Sequence, residues 1–553
     1  MPQSRRDFLS LTAKCAMLAA GADLGLPMLL HAATPEDSGS TALPVPGKSG
    51  LFGLLAPEGG LTLTAAEAPG ALPASGAPML AYRTSHKGMD YLNPILVLNK
   101  GQNFEATLVN GLSEPTIVHW HGVDGPWRQA GHPSYAIGPG GSYKYAFPIT
   151  NRAGTYWYHP HPHALTAKQA YMGLASFFIV RDGEEEAFAK DLDLRLGETD
   201  IPLVIQDKRL TPNGQLDYSP SQDDLFMGYL GNIVLANGQR RSTLKTATRL
   251  YRFRLLNGST ARIYNLSFVF GGARLPFLLV GNDGGFLPAP QQLDGLFLAP
   301  GERAEVLLDL RTLSPGQEVF LQNMPFDPMH NEGGGMMGMM GMGEMAGMGH
   351  GSAQAPVAEH GGGHETAPVA SAGSHGALGE GDAYPILRLL VEQKVAYDRS
   401  LPKSLPDIPK PPTGGTERPI TLAMRHMGGW TINGLTFDMD SSPIVVKKRG
   451  PEVWRISNSK ESMPHPMHLH GYFYRVLERR GSPPQVKSRA VDPRGRLASD
   501  LGYKDTVLVW PGETVSVCID FGTPKYPGEQ LFLFHCHNLE HEDQGMMLNV
   551  KVV

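Results

Sequence analysis

His535-Cys536-His537-Asn538-Leu539-Glu540-His541, followed by Met546, is the stretch that constrains the fold of this 553-residue chain most tightly. Side chains alternate across an extended strand, so His535 and His537 project to one side and Cys536 to the other. A thiolate can then hold one metal ion while its neighbours hold others on the opposite face. Cys536, His541 and a further histidine make a His₂Cys donor set with Met546 as weak axial ligand, the arrangement of blue copper. The peptide between Cys536 and its flanking histidines becomes a short covalent path between metal sites. The segment points to a copper protein that moves electrons, on a framework of β-strands.

The remaining ligands lie upstream. His119-Trp120-His121 and His159-Pro160-His161 are H-x-H pairs, and His465-Pro466-Met467-His468-Leu469-His470 adds an H-x-x-H-x-H run. Each places two imidazoles on one face of a strand. With the C-terminal segment they bring together ten of the chain's 20 histidines. Soft sulfur with imidazole selects copper, and an all-imidazole set suits copper or zinc. A single H-x-H pair is weak evidence; four clusters in this order are not.

These four clusters resemble the copper signatures of the multicopper oxidases, over almost all of the mature chain. The resemblance implies three cupredoxin-like Greek-key β-sandwich domains, all-β, and four copper ions. It implies a type 1 copper on His465, Cys536, His541 and Met546, and a type 2 copper on His119 and His468. A type 3 pair would take His121, His159, His161, His470, His535 and His537. Ligands drawn from the first and third domains put the three-copper cluster at their interface. The second domain supplies none and is expected to act as a spacer. The methionine axial ligand points to the lower-potential end of the family.

Acids should move the protons that oxygen reduction consumes. Glu542, beside His541, resembles the family's acidic relay. Relatives also carry an aspartate about ten residues after the first H-x-H pair; here only Asp124 stands near, earlier than usual, with His132 further on. Asp124 is the expected substitute. Glu461, four residues before His465, matches a position where an acid steadies the type 1 histidine.

Composition agrees. The net charge of −5 and the absence of a basic run exclude a nucleic-acid binder. Of three cysteines, Cys15 lies in a segment expected to be removed, Cys536 is committed to metal and Cys518 reads as a buried free thiol, so no disulfide is expected. Ser4-Arg5-Arg6-Asp7-Phe8-Leu9 and the apolar stretch to about Leu30 resemble a twin-arginine signal, over residues 1–33. The implied destination is a bacterial periplasm, reached through the twin-arginine export machinery, without a retained anchor. Residues 34 to about 50 read as a flexible lead-in.

Short β-branched and aromatic runs separated by turn residues, such as Phe104–Val109 before Asn110-Gly111, read as sandwich strands. The expected division is 50–182, 183–395 and 419–553, with a proline-rich linker at 396–418. A low-complexity insert at 326–382 interrupts the second unit. Met324 through Met348 contains nine methionines, among them Met336, Met337, Met339, Met340 and Met342. Glycine at this density cannot build a core, and thioethers favour cuprous ion. These methionines are a candidate substrate-copper site, and Tyr384–Val391 is expected to resume the second sandwich.

The leading expectation is a monomeric periplasmic oxidase that couples oxidation of cuprous ion to reduction of dioxygen to water. A laccase acting on small phenols is the alternative. A non-catalytic copper-binding protein is a third, opposed by the complete set of ligands.

Overall fold

The structure is a computed structural model and describes residues 41–330, 378–410, 412–425, 428–447, 450–522 and 526–553. The signal-like segment and the methionine run, including Met336, Met337, Met339, Met340 and Met342, lie outside the described residues. Strands of the described residues form six sheets that pair into three cupredoxin-like sandwiches.

The first sandwich is built between Gly50 and Arg181. Its outer sheet contains Leu61–Ala68 and Asn103–Asn110, whose burial alternates over Leu61–Ala66 and throughout Asn103–Asn110, the pattern of a sheet with one face on a core. Its inner sheet behaves differently. Val118–His121 and Gly154–Pro160 are buried at every position. Trp120 and Tyr158 fill the sandwich core, while the alternate positions, His119, His121, His159 and His161, face the neighbouring sandwich and are covered by it.

The second sandwich pairs a sheet containing Asp200–Leu210, Leu250–Asn257 and Arg303–Asp309 with one containing Tyr264–Phe270, Glu318–Asn323 and Tyr384–Gln393. Glu318–Asn323 and Tyr384–Gln393 pair antiparallel, so the residues between them, insert included, join two neighbouring strands. The lead-in expectation needs correction: Thr41–Ala42 pairs in parallel with Ser242–Thr243, and Leu43 is buried in the second sandwich's core. Backbone pairing and one buried leucine outweigh the Pro/Gly/Ser composition there.

The third sandwich begins with Thr416–Met424 and ends with Met547–Val552. Within it, His465–Leu469 pairs antiparallel with Gln530–Cys536, setting Met467 opposite Cys536 and His468 opposite His535. The period of two then separates two chemistries. Met467, Cys536 and Met546 belong to the interior core, whereas His468 and His535 face the first sandwich. No helix of the described residues is long and apolar enough to cross a membrane.

Candidate metal centres

Four groups of side chains bring potential ligand atoms within 4.8 Å of one another: His465/Cys536/His541, His119/His121/His468, His121/His159/His537 and His161/His470/His535. All eleven expected imidazole and thiol ligands therefore fall into these groups, and every one is buried. Met546 is buried in the same core as Cys536 and is tied to the site by backbone: the Cys536 N–H donates to its carbonyl (3.0 Å), and its own N–H donates to the His541 carbonyl (2.8 Å).

Around Cys536, Nδ1 of His465 and Nδ1 of His541 each lie 3.6 Å from Sγ. The opposite nitrogens are occupied. His541 Nε2 donates to the Phe226 carbonyl (2.9 Å), and His465 Nε2 meets Ser462 Oγ (3.0 Å). Burial pushes the Cys536 thiol well above its ordinary range, so a cation must be present for the thiolate to exist there. The short helix Leu539–Asp543, started by Asn538, turns His541 toward Cys536 and Glu542 toward the other imidazoles.

At the sandwich interface, ring nitrogens are assigned by their partners. His119 Nδ1 faces the Ala130 carbonyl (2.6 Å) and His468 Nδ1 the Asp505 carbonyl (2.7 Å), so both must donate. Their Nε2 atoms then point lone pairs at each other across 3.3 Å. His470 Nε2 and His535 Nε2 stand 3.1 Å apart, with His535 Nδ1 committed to the Cys536 carbonyl. Buried nitrogens of His121, His159, His161 and His537 are also left without a hydrogen-bond partner. Opposed buried lone pairs are repulsive until a cation sits between them. Burial, reinforced by neighbouring imidazoles, lowers the basicity of His119, His121, His161, His468, His470 and His537, and that of His159 to about 3, which keeps these rings neutral and able to ligate. The donor set fits copper. Close packing supports it: a Cβ on Gly131, where φ is +80°, would lie 2.3 Å from the Val118 carbonyl oxygen and 2.6 Å from His119 Cα.

The acids divide differently from expectation. Glu542 is at the cluster, its carboxylate 3.3 Å from His161 Nε2 and 3.0 Å from His535 Nδ1. Asp124 is not: it accepts from Thr150 (3.0 Å) and Tyr526 (3.3 Å), because the chain turns away from the imidazoles at Gly122. His132 is held by Ser134 and Asn549. The second carboxylate at the cluster is Asp505, 3.0 Å from His121 Nε2. Glu461 is exposed, and the side chain on His465 Nε2 is Ser462, one residue on. The second sandwich is also more than a spacer: the Phe226 carbonyl accepts from His541 Nε2, and a Cβ on Gly301 would lie 2.8 Å from the ring of His537. Asp505, Ser462 and Phe226 carried no local signal, being far in sequence from the rings they hold or plain in type. Both cysteines of the described residues, Cys518 and Cys536, are free and buried.

Glu540, on the same helix, is fully buried against Tyr218, and burial pushes its carboxyl up to about 7. A folded value above the ordinary ~4.3 means that its contribution to stability is complete below about pH 4 and is lost as pH rises through 7. Glu540→Gln is expected to match the parent near pH 4 and to exceed its stability by roughly 2–3 kcal/mol above pH 8. Chemical denaturation of both proteins at the two pH values checks this; a gap that does not widen with pH refutes it.

The fold and the donor set define an oxidoreductase of cupredoxin-like sandwiches with copper as cofactor. Residues 85–185 and 409–553 match two sequence families, each described as multicopper oxidase. Multicopper oxidase mco of Staphylococcus haemolyticus is 30% identical over 83% of this chain and 82% of its own length. Cell division protein FtsP of Photorhabdus laumondii is 29% identical over 99% of this chain and 98% of its own. Among solved structures, McoA multicopper oxidase of Aquifex aeolicus superposes with a TM-score of 0.76 at 34% identity, covering 93% of this chain and 99% of that one. A Campylobacter jejuni multicopper oxidase described as a metallo-oxidase gives 0.67 at 25%, covering 93% and 95%. The chain belongs to the multicopper oxidase family.

Proposed function

We propose that this protein is a cuprous oxidase of the bacterial periplasm, serving copper tolerance, with a type 1 copper on His465, Cys536, His541 and Met546. The type 2 copper would take His119 and His468, and the type 3 pair His121, His159, His161, His470, His535 and His537. Copper bound at these ligands supplies one-electron exchange and a binding place for dioxygen. Four cuprous ions give one electron each; dioxygen takes four electrons and four protons and leaves as two waters. Cys536 and its peptide bonds to His535 and His537 form the electron path, and Glu542 handles protons beside His161 and His535. Division at 50–182, 183–395 and 419–553, twin-arginine export and a monomeric state belong to the same proposal.

The observation that carries the choice of substrate is the covering of the type 1 histidines. His465 and His541 are both 0% exposed. Phe226 stacks on Trp430, whose indole packs edge-on against His465. A phenol ring would find no imidazole edge to meet, whereas a small cation needs only a nearby binding place. The root of the methionine segment supports this reading. His330 lies 2.9 Å from Glu380 across the base of the insert; burial lowers the basicity of His465 and His541, and the nearby His330 adds to it in both. The Campylobacter relative's description as a metallo-oxidase points the same way.

Oxygen uptake by the copper-loaded protein, with cuprous ion or a simple phenol at equal concentration, tests the proposal. Faster uptake with cuprous ion is expected. Replacing residues 331–377 by a short Gly/Ser linker should lower the cuprous rate several-fold and leave phenol oxidation intact or improved. A preference for phenol would make the protein a laccase. No uptake in copper-replete protein would favour a non-catalytic role; the chain's likeness to a cell division protein, over 99% of its length, would then gain weight.

A further inference from the structure

Arg303, on the second sandwich, is fully buried, and all five of its guanidinium N–H groups are used. Nε donates to the Thr155 carbonyl of the first sandwich (3.1 Å). One terminal nitrogen donates to the Gly301 carbonyl (2.8 Å) and to Asp505 Oδ1 (2.8 Å), the other to the Asp283 carbonyl (3.0 Å) and Asp505 Oδ2 (2.5 Å). One side chain thus joins all three sandwiches. Its main partner, Asp505, holds two expected copper ligands at once. The Asp505 carboxylate accepts from His121 Nε2 (3.0 Å) and its carbonyl accepts from His468 Nδ1 (2.7 Å). Thr506 Oγ1 lies 3.3 Å and 3.2 Å from the same two nitrogens.

The consequence for His121 is specific. A proton on Nε2, directed at the carboxylate, leaves Nδ1 as the ring's free donor, and Nδ1 is the buried nitrogen of His121 left without a hydrogen-bond partner. There is no slack in the arrangement. A Cβ on Gly122, at φ +76°, would stand 2.4 Å from Asp505 Oδ2 and 2.8 Å from the Arg303 guanidinium. Charge is matched as well: Lys504 reaches Asp283 and Glu302, both at 3.1 Å, so the carboxylates around Arg303 have a second cation.

We infer that Arg303 is a positioning residue through which the second sandwich, by way of Asp505, sets the ring nitrogen that His121 offers and the direction of His468. This rests on the copper assignment proposed above. Arg303 touches neither the thiolate site nor its ligands, so it governs filling of the three-copper cluster and leaves the type 1 site alone. A lysine keeps the charge but cannot present two parallel N–H groups to a carboxylate.

Copper per chain, the visible thiolate-to-copper absorption of Cys536 and copper competition titrations, measured on Arg303→Lys, Asp505→Asn and the parent, test this. Both variants are expected to keep the thiolate absorption, to bind cluster copper ~10–100-fold more weakly and to hold fewer than four coppers under chelator. Arg252→Met, which removes a buried cation of the same sandwich paired with Glu185 and Asp200, should lose thermal stability yet keep four. Four coppers with parental affinity in Arg303→Lys and Asp505→Asn would overturn the inference. So would loss of the thiolate absorption in step with the cluster, which marks general loosening. A parent protein that never holds four coppers would sink the copper assignment, and the inference with it.

Discussion

Cys536→Ser is expected to abolish the visible thiolate-to-copper absorption, to remove one copper per chain and to lower oxygen uptake by more than ~100-fold, beyond what loss of an outer partner costs. A serine hydroxyl is a hard, protonated donor where two imidazoles and a thioether select for a soft one. Sγ lies 3.6 Å from Nδ1 of both His465 and His541 in a fully buried site, so water cannot take its place without disturbing the core. The remaining coppers should stay, because His535 and His537 belong to groups separate from that of Cys536. Copper analysis, absorbance and oxygen uptake on one preparation decide it. A variant that stays coloured, or turns over at the parental rate, would show that electrons do not pass through Cys536.

Glu542→Gln should retain copper and colour and yet lose ~10²–10³-fold in oxygen uptake, the usual weight of a well-placed proton-transfer group. The carboxylate is 1% exposed, 3.3 Å from His161 Nε2 and 3.0 Å from His535 Nδ1, and each of those rings belongs to the cluster. Glutamine keeps the shape and removes the exchangeable proton. Glu540→Gln is the natural comparison, since Glu540 turns toward Tyr218 and away from the cluster. Its turnover should remain near the parent's. Equal rates in the two variants would deprive Glu542 of its role.

Both expectations began with residues legible in the sequence, and the reason is the short range of strand geometry. H-x-H and H-C-H are statements about a period of two, which survives any packing. The strand pairing of Met467 with Cys536 and His468 with His535 then sorts one chemistry into a sandwich core and another onto its outer face. The all-β class and the interruption between Glu318–Asn323 and Tyr384–Gln393 were readable for a similar reason: turn residues and β-branched runs act locally.

The acids were harder to read, since a carboxylate's role depends on what faces it. Asp124 and Glu461 stand near the histidines in sequence, but a turn at Gly122 and an exposed position direct them elsewhere. By itself the sequence determined which side chains can hold copper and on which strand faces they stand. Only the tertiary structure decided what holds those rings in place: Asp505 reaches His121 across 384 residues and Phe226 reaches His541 across 315. Such contacts come from packing separate sandwiches together, and no periodicity within one strand encodes its partner in another.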